Sequence, residues 1–277
     1  MSVKITAKMV KQLRDKTGAG MMDCKKALVE ANGDFDTAIA NLRKKGQKLS
    51  DKRADRATNE GVVIALTSDD GKRGVAVNIG CETDFVAKNE DFVAFAKSIA
   101  EVAIANFPTT TEALLALELD GKAISEHVIE QTGVIGEKIA VAKYETLEAE
   151  LIVPYIHMGY KMGVLLALNQ NNEAAVDAGK NVAMQVAAMN PVAVDKDGVD
   201  ASVVEKEIEI GKEQARNDGR PEAILEKIAM GKLNKFYKEK TLMNQQYVKD
   251  SKQNVKGYLN GASKGLIATA FKRVALG

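Results

Sequence analysis

The sequence predicts an α+β protein built from several units, and three observations carry that prediction. Short apolar runs occur in pairs, and each pair is followed by a long segment with apolar residues at three- and four-residue spacing. The first 46 residues break into three short helical patterns punctuated by Gly18 and Gly33. Residues 200–240 carry two apolar seams on either side of Asn217-Asp218-Gly219-Arg220-Pro221, the pattern of a protruding antiparallel coiled-coil hairpin.

In the amino-terminal unit, residues 1–46, Thr6 suits the cap of a first helix that turns Val10 and Leu13 inward and stops at Gly18. A second helix is expected over about 22–32, with Ala27, Leu28 and Ala31 on one face and Gly33 as its stop. Asp34 opens a third, with Ala38, Ile39 and Leu42 inward and Gly46 as its end. Residues 47–58 hold many charges and one large apolar side chain, Leu49, so they read as an exposed basic linker, in part helical, that lets the bundle move.

Residues 59–148 begin with a hairpin, 62–67 and 74–79, joined by Asp69-Asp70-Gly71-Lys72. A helix follows over about 91–106, capped by Asn89 or Asp91, then helical patterns at 112–118 and 123–137 and a strand at 139–147. A second hairpin, 151–157 and 164–168, and a helix over 172–189 repeat that order, which predicts two related subdomains with antiparallel sheets. In the 200–240 hairpin one seam is Val204, Ile208, Gly211 and Ala215, and the other Ile224, Leu225, Ile228, Leu233 and Phe236. The chain then returns to the second subdomain, 149–199 and 241–277, through a helix near 241–259 and a strand at 265–271.

Composition narrows the function. Net charge is +1 and aromatics are 5% with no Trp, so no global field or stacking surface advertises a nucleic-acid partner. Charge is uneven: residues 1–58 hold fourteen Lys or Arg against seven acids, which suits an acidic protein face, RNA phosphate or a merely solvated surface. Cys24 and Cys81 lie in different segments and read as reduced thiols. No stretch has the roughly 20 apolar residues of a membrane span, and Met1-Ser2-Val3-Lys4-Ile5-Thr6 lacks a signal-peptide core. A cytoplasmic location is the expectation.

Catalytic chemistry finds no footing. There is no Walker-type phosphate loop, and Thr17-Gly18-Ala19-Gly20-Met21 has no preceding strand, so it reads as a turn between helices. His127, His157 and the two cysteines have no zinc spacing, and no Ser or Cys sits in a nucleophile motif. No metal, no cofactor and no enzyme activity are therefore expected. What remains is Thr83-Asp84-Phe85-Val86-Ala87-Lys88-Asn89, a large ring beside a carboxylate on a strand-to-helix connection, where side chains are easily presented to a partner. A lone Phe in such a position otherwise packs back as core.

Two motifs resolve that alternative. Thr17-Gly18-Ala19-Gly20-Met21-Met22-Asp23-Cys24-Lys25-Lys26-Ala27-Leu28, with Glu30-Ala31-Asn32-Gly33-Asp34, resembles the amino-terminal signature of the elongation factor Ts family. Thr83-Asp84-Phe85-Val86-Ala87-Lys88 resembles its second signature, and the 200–240 hairpin falls where that family carries its coiled coil. The resemblance covers essentially the whole chain. It implies a UBA-like amino-terminal bundle and a nucleotide-exchange factor for elongation factor Tu.

In that family an aspartate–phenylalanine loop is pushed between helices of the GTPase domain, shifting the loops that hold Mg²⁺ and the β-phosphate so that GDP leaves. Carried onto this sequence, Phe85 is the wedge, Asp84 its polar neighbour, and Thr83 and Val86 complete the loop. Leu13, Met21 and Met22 would lie on a bundle face that grips the GTPase domain, and His157 would meet its third domain. The family commonly continues past the last strand into a further helix, whereas this sequence stops at Arg273-Val274-Ala275-Leu276-Gly277. A homodimer or a two-to-two complex with the partner stays open.

Overall fold

The computed structural model describes residues 3–277, so the first two residues of the expected 1–46 bundle lie outside it. The chain forms two compact units: one reaches through Ile64 and adds Val77–Tyr144 and Ala275–Gly277, and the other holds Ala65–Ala76 and Glu145–Val274.

The first unit opens with α1 (Ala7–Thr17), α2 (Met21–Glu30) and α3 (Phe35–Lys52). The Thr6 hydroxyl accepts from the Met9 amide and the Asp34 carboxylate from the Thr37 amide, satisfying backbone donors that a helix start leaves open. Gly18, at φ 67°, closes α1 by donating its N–H to the Arg14 carbonyl. Val10, Leu13, Cys24, Ala27, Leu28 and Ala38 meet in a small core, with Phe35, Ile39 and Leu42 packed at its edge.

Gly46 does not end the third helix. α3 runs on to Lys52, and Gly46 sits buried where it crosses α7 (Ile124–Ile135) against Gly133. A Cβ on Gly133 would stand 2.8 Å from the Gly46 Cα, so the two backbones meet where side chains would separate them. Each glycine costs its helix about 1 kcal/mol relative to alanine, and the close crossing is what that cost permits. The stretch expected as a partly helical linker is helix over its first half. Its remainder is pinned: Lys138 Nζ donates to the Ala54 and Arg56 carbonyls at 2.6 and 2.8 Å.

Two three-stranded sheets follow the same plan. The first has order β1 (Glu60–Thr67), β2 (Arg73–Cys81), β5 (Ala140–Glu148); the second has β6 (Leu151–His157), β7 (Met162–Leu168), β10 (Ala268–Ala275) in the corresponding places. In each, the second hairpin strand is central and buried almost throughout, which explains unbroken runs such as Val75-Ala76-Val77 and Val164-Leu165-Leu166. β6 and β7 pair antiparallel with Leu151 opposite Leu168 and His157 opposite Met162.

The parallel extends further than the sequence suggests. Each hairpin leads to a 17-residue helix, α5 (Glu90–Asn106) and α8 (Glu173–Met189). Both are capped by asparagine, Asn89 and Asn172, and both end on a left-handed non-glycine residue, Phe107 and Asn190, followed by proline. A two-residue β3 (Glu118–Leu119) pairs with β4 (Lys122–Ala123) before α7 and β5. Likewise β8 (Gln246–Tyr247) pairs with β9 (Asp250–Asn254) before α11 (Val255–Ala262) and β10. A six-residue α6 (Thr111–Ala116) in the first half stands where the second carries the long hairpin of α9 (Ala201–Asn217) and α10 (Glu222–Lys240).

Within that hairpin, Gly211 and Ala215 pack against Leu225, Ala229 and Leu233, all buried, and the absent Gly211 side chain lets the Ala229 backbone approach. Ile224, expected in the seam, is exposed instead. The helix expected near 241–259 is a turn, the β8–β9 pair and the start of α11. Buried Gln185 donates to the Gln246 carbonyl at 2.9 Å and accepts from the Val248 amide at 3.0 Å, satisfying backbone that a helix would have satisfied itself. Tyr247 stacks on Tyr258 at 4.0 Å between centroids. The last strand is also shifted, running to Ala275 and taking Arg273-Val274-Ala275 into the sheet.

Candidate functional site

β2 delivers the chain to a sharp corner at Glu82. Thr83 is extended, and Asp84–Ala87 form a single helical turn, α4, before Asn89 starts α5. The Asn89 side chain accepts from the Asp91 and Phe92 amides at 2.8 and 3.2 Å, and Phe92 is buried, so the far end of the corner is anchored. Phe85, in the turn ahead of this anchor, is 82% exposed. Val86 is half-buried, and beside the ring lies a groove of about 490 Å³ lined by Phe92, Val134 and Ile135 among others. Asp84 accepts an (i, i+4) bond from Lys88 at 2.6 Å, which closes the helical turn and raises the Lys88 ammonium above its ordinary pKa.

The corner is braced by two carboxylates that exchange backbone donors. Glu137 Oε2 accepts the amides of Glu82 and Thr83 at 3.1 and 3.0 Å, and its Oε1 accepts the Thr83 hydroxyl at 2.7 Å. Glu82 Oε1 in turn accepts the Lys138 amide and Arg53 Nη1, both at 2.6 Å, while Oε2 accepts Arg56 Nη1 at 2.8 Å. Burial opposes ionisation of Glu82, but the Lys138 amide and the Arg56 and Arg53 guanidiniums together outweigh it and hold its pKa at about 2. Cys81, just before the corner, is buried and donates to the Thr83 carbonyl at 3.2 Å. Burial, helped by Glu137, pushes its thiol up to about 12, which makes it an inert structural thiol at neutral pH.

Thr83, Asp84, Phe85 and Val86 are thus brought into one corner, but not in equal roles. Phe85 alone is thrust into solvent, and the Thr83 hydroxyl is committed to Glu137. Met21 and Met22 open α2 at 44% and 75% exposure. Leu13 does not share that surface. It is fully buried in the bundle core, because α1 turns the Val10–Leu13 stripe inward. His157 ends β6, half-buried, with Nδ1 2.9 Å from the Tyr155 hydroxyl; Met158, next in the turn, is exposed. His127 Nε2 bonds the Leu119 carbonyl at 2.7 Å.

Sequence reasoning misses Glu82, Glu137, Arg53, Arg56 and Lys138. The one local clue is Glu82 itself, a charged residue placed directly after a buried strand. Among the described residues no group of His, Cys, Asp and Glu could hold a metal ion, and no helix is long and apolar enough to cross a membrane.

The corner thus holds a solvent-facing ring on a braced backbone. The family model for elongation factor Ts matches residues 82–277. Over 274 residues the chain is 54% identical to elongation factor Ts of Cytophaga hutchinsonii, covering 98% of this chain and 99% of the relative. It is 52% identical to the protein of that name from Christiangramia forsetii, with 99% of each chain covered, and 42% identical to that of Chloroherpeton thalassium, again with 99% of each covered. The chain belongs to the elongation factor Ts family.

Proposed function

We propose that the protein is a guanine-nucleotide exchange factor for elongation factor Tu, working in translation elongation, and that the α4 corner opens the partner's nucleotide site. The observation that carries this reading is the 82% exposure of Phe85 on a corner whose own backbone is braced by Glu137. A ring left in water at such a cost in apolar exposure is explained by a cleft on another protein.

An exchange factor needs no reactive side chain, because it works through a coupling free energy between two ligands of one protein. Weakening GDP binding a thousandfold takes about 4 kcal/mol. Moving a Phe side chain from water into a cleft supplies roughly 2–3 kcal/mol, and displacement of the Mg²⁺ that neutralises phosphate charge supplies the remainder. Asp84 positions the ring by closing the turn through Lys88. Met21 and Met22 form the grip of the bundle, adaptable side chains on a partner that changes shape. His157 meets the partner's third domain. No covalent bond is made or broken, and no cofactor is required.

The test is release of labelled GDP from elongation factor Tu. The intact chain should accelerate it strongly. Phe85→Ala should lose most of the acceleration, by about 100-fold on the burial estimate, with folding unchanged because the ring makes no core. A wild-type chain that leaves the release rate unaltered would rule this function out.

A further inference from the structure

The braced corner and the end of α3 share the same partners. Glu82 joins three stretches distant in sequence: its own corner, the Lys138 amide after α7, and Arg53 and Arg56 just beyond α3. Lys138 repeats the link from the other side, its ammonium held by the Ala54 and Arg56 carbonyls. Glu137 returns the tie by holding the two amides and the hydroxyl ahead of Phe85. α3 itself is seated on α7 by the Gly46–Gly133 crossing. A continuous path therefore runs from the bundle, through α3, to the base of the Phe85 turn.

We infer that Glu82 and Glu137 are positioning residues for nucleotide exchange: they clasp the α4 corner to the end of α3, so that the bundle carries the load on Phe85. This role rests on the exchange function proposed for the chain. A wedge deforms its target only as far as its support resists. If the corner yields first, the ring still docks, but its insertion bends the factor and leaves the GTPase nucleotide site closed. Charge-assisted bonds to backbone amides suit this task, being about twice as strong as neutral ones. Arg53 is largely enclosed and Arg56 mostly exposed, so one guanidinium seals the clasp from inside and the other from solvent.

The experiment measures labelled-GDP release from elongation factor Tu against concentration of the full-length factor, separating the saturating rate from the half-saturating concentration. Glu82→Gln preserves shape and an acceptor for the Lys138 amide but discards the charge that both arginines need. It should lower the saturating rate about tenfold or more while moving the half-saturating concentration less than about twofold. Combining it with Arg56→Gln should add little further loss, since both break one clasp. Arg56→Gln alone, at a mostly exposed side chain, gives the same readout should Glu82→Gln fail to fold. A folded Glu82→Gln or Arg56→Gln chain with the wild-type saturating rate overturns the inference and leaves the exchange function standing. A wild-type chain that does not accelerate release removes the exchange function itself.

Discussion

Replacing Gly133 by alanine should destabilise the first unit, whereas the same change at Gly46 should be nearly neutral. The two face each other across the α3–α7 crossing, yet their surroundings differ. A Cβ at Gly133 would lie 2.8 Å from the Gly46 Cα, a backbone atom that cannot swing aside. A Cβ at Gly46 would meet the Ile129 carbonyl oxygen at 3.2 Å and the Gly133 Cα at 3.5 Å, a conflict relieved by a few tenths of an ångström. Each replacement gains about 1 kcal/mol of helix propensity, against an overpacking cost of about 1–3 kcal/mol. The milder conflict at Gly46 should cancel the gain, leaving a change of about 0.5 kcal/mol or less. At Gly133 the cost should win by about 2 kcal/mol. Urea unfolding followed by far-UV circular dichroism compares the midpoints under one condition. A Gly133→Ala chain as stable as wild type, or a Gly46→Ala chain the weaker of the two, would refute the close crossing as the reason for both glycines.

Glu82, whose folded pKa lies near 2 against an ordinary 4.5, contributes stability that is complete above about pH 4.5 and is lost as pH falls through 2. Glu82→Gln should therefore cost on the order of 3 kcal/mol at pH 7 and almost nothing below pH 2, read from denaturation at a series of pH values; a pH-independent cost would contradict the ionised clasp. Leu13→Ala should destabilise the bundle by about 2–5 kcal/mol, while Met22→Ala should change stability by less than about 0.5 kcal/mol and weaken association with elongation factor Tu instead. Equal stability losses in the two variants would contradict their opposite burial. Leu233→Ala should loosen the α9–α10 hairpin by about 2–3 kcal/mol, seen as faster limited proteolysis within residues 201–240; cleavage at the wild-type rate would argue against its place in that seam.

Helix starts are the most legible part of the chain, because Thr6, Asp34, Asn89 and Asn172 each supply the acceptor that an open backbone donor needs. The strands are legible as unbroken apolar runs. Gly46 misleads because glycine serves two purposes in a helix, as a stop and as a point of contact, and only the position of Gly133 on another helix decides between them. Residues 241–254 mislead because Gln185, about sixty positions earlier, supplies the hydrogen bonds that make a short hairpin tolerable. Phe85 stands out by its neighbours in sequence. Its support does not, since Glu82 and Glu137 are brought together only when the sheet and α7 are assembled. Leu13 lies inward, as its helical spacing predicts, while its place on a gripping face comes from the family motif, which transfers positions and says nothing of which way a side chain turns.

The two matching halves close the same corner with different lengths of chain. Between β2 and α5 lie residues 82–89, and between β7 and α8 only 169–172. The shorter corner is polar, Asn169-Gln170-Asn171-Asn172: Asn169 and Gln170 hold the backbone of 264–267 beside the sheet, and Asn172 caps α8. The longer corner exceeds it by four residues, the same length as Asp84–Ala87. The turn that presents Phe85 is thus a graft on a joint that the architecture makes elsewhere without it. What the four added residues bring is one aromatic ring, kept in water at a joint whose counterpart presents none.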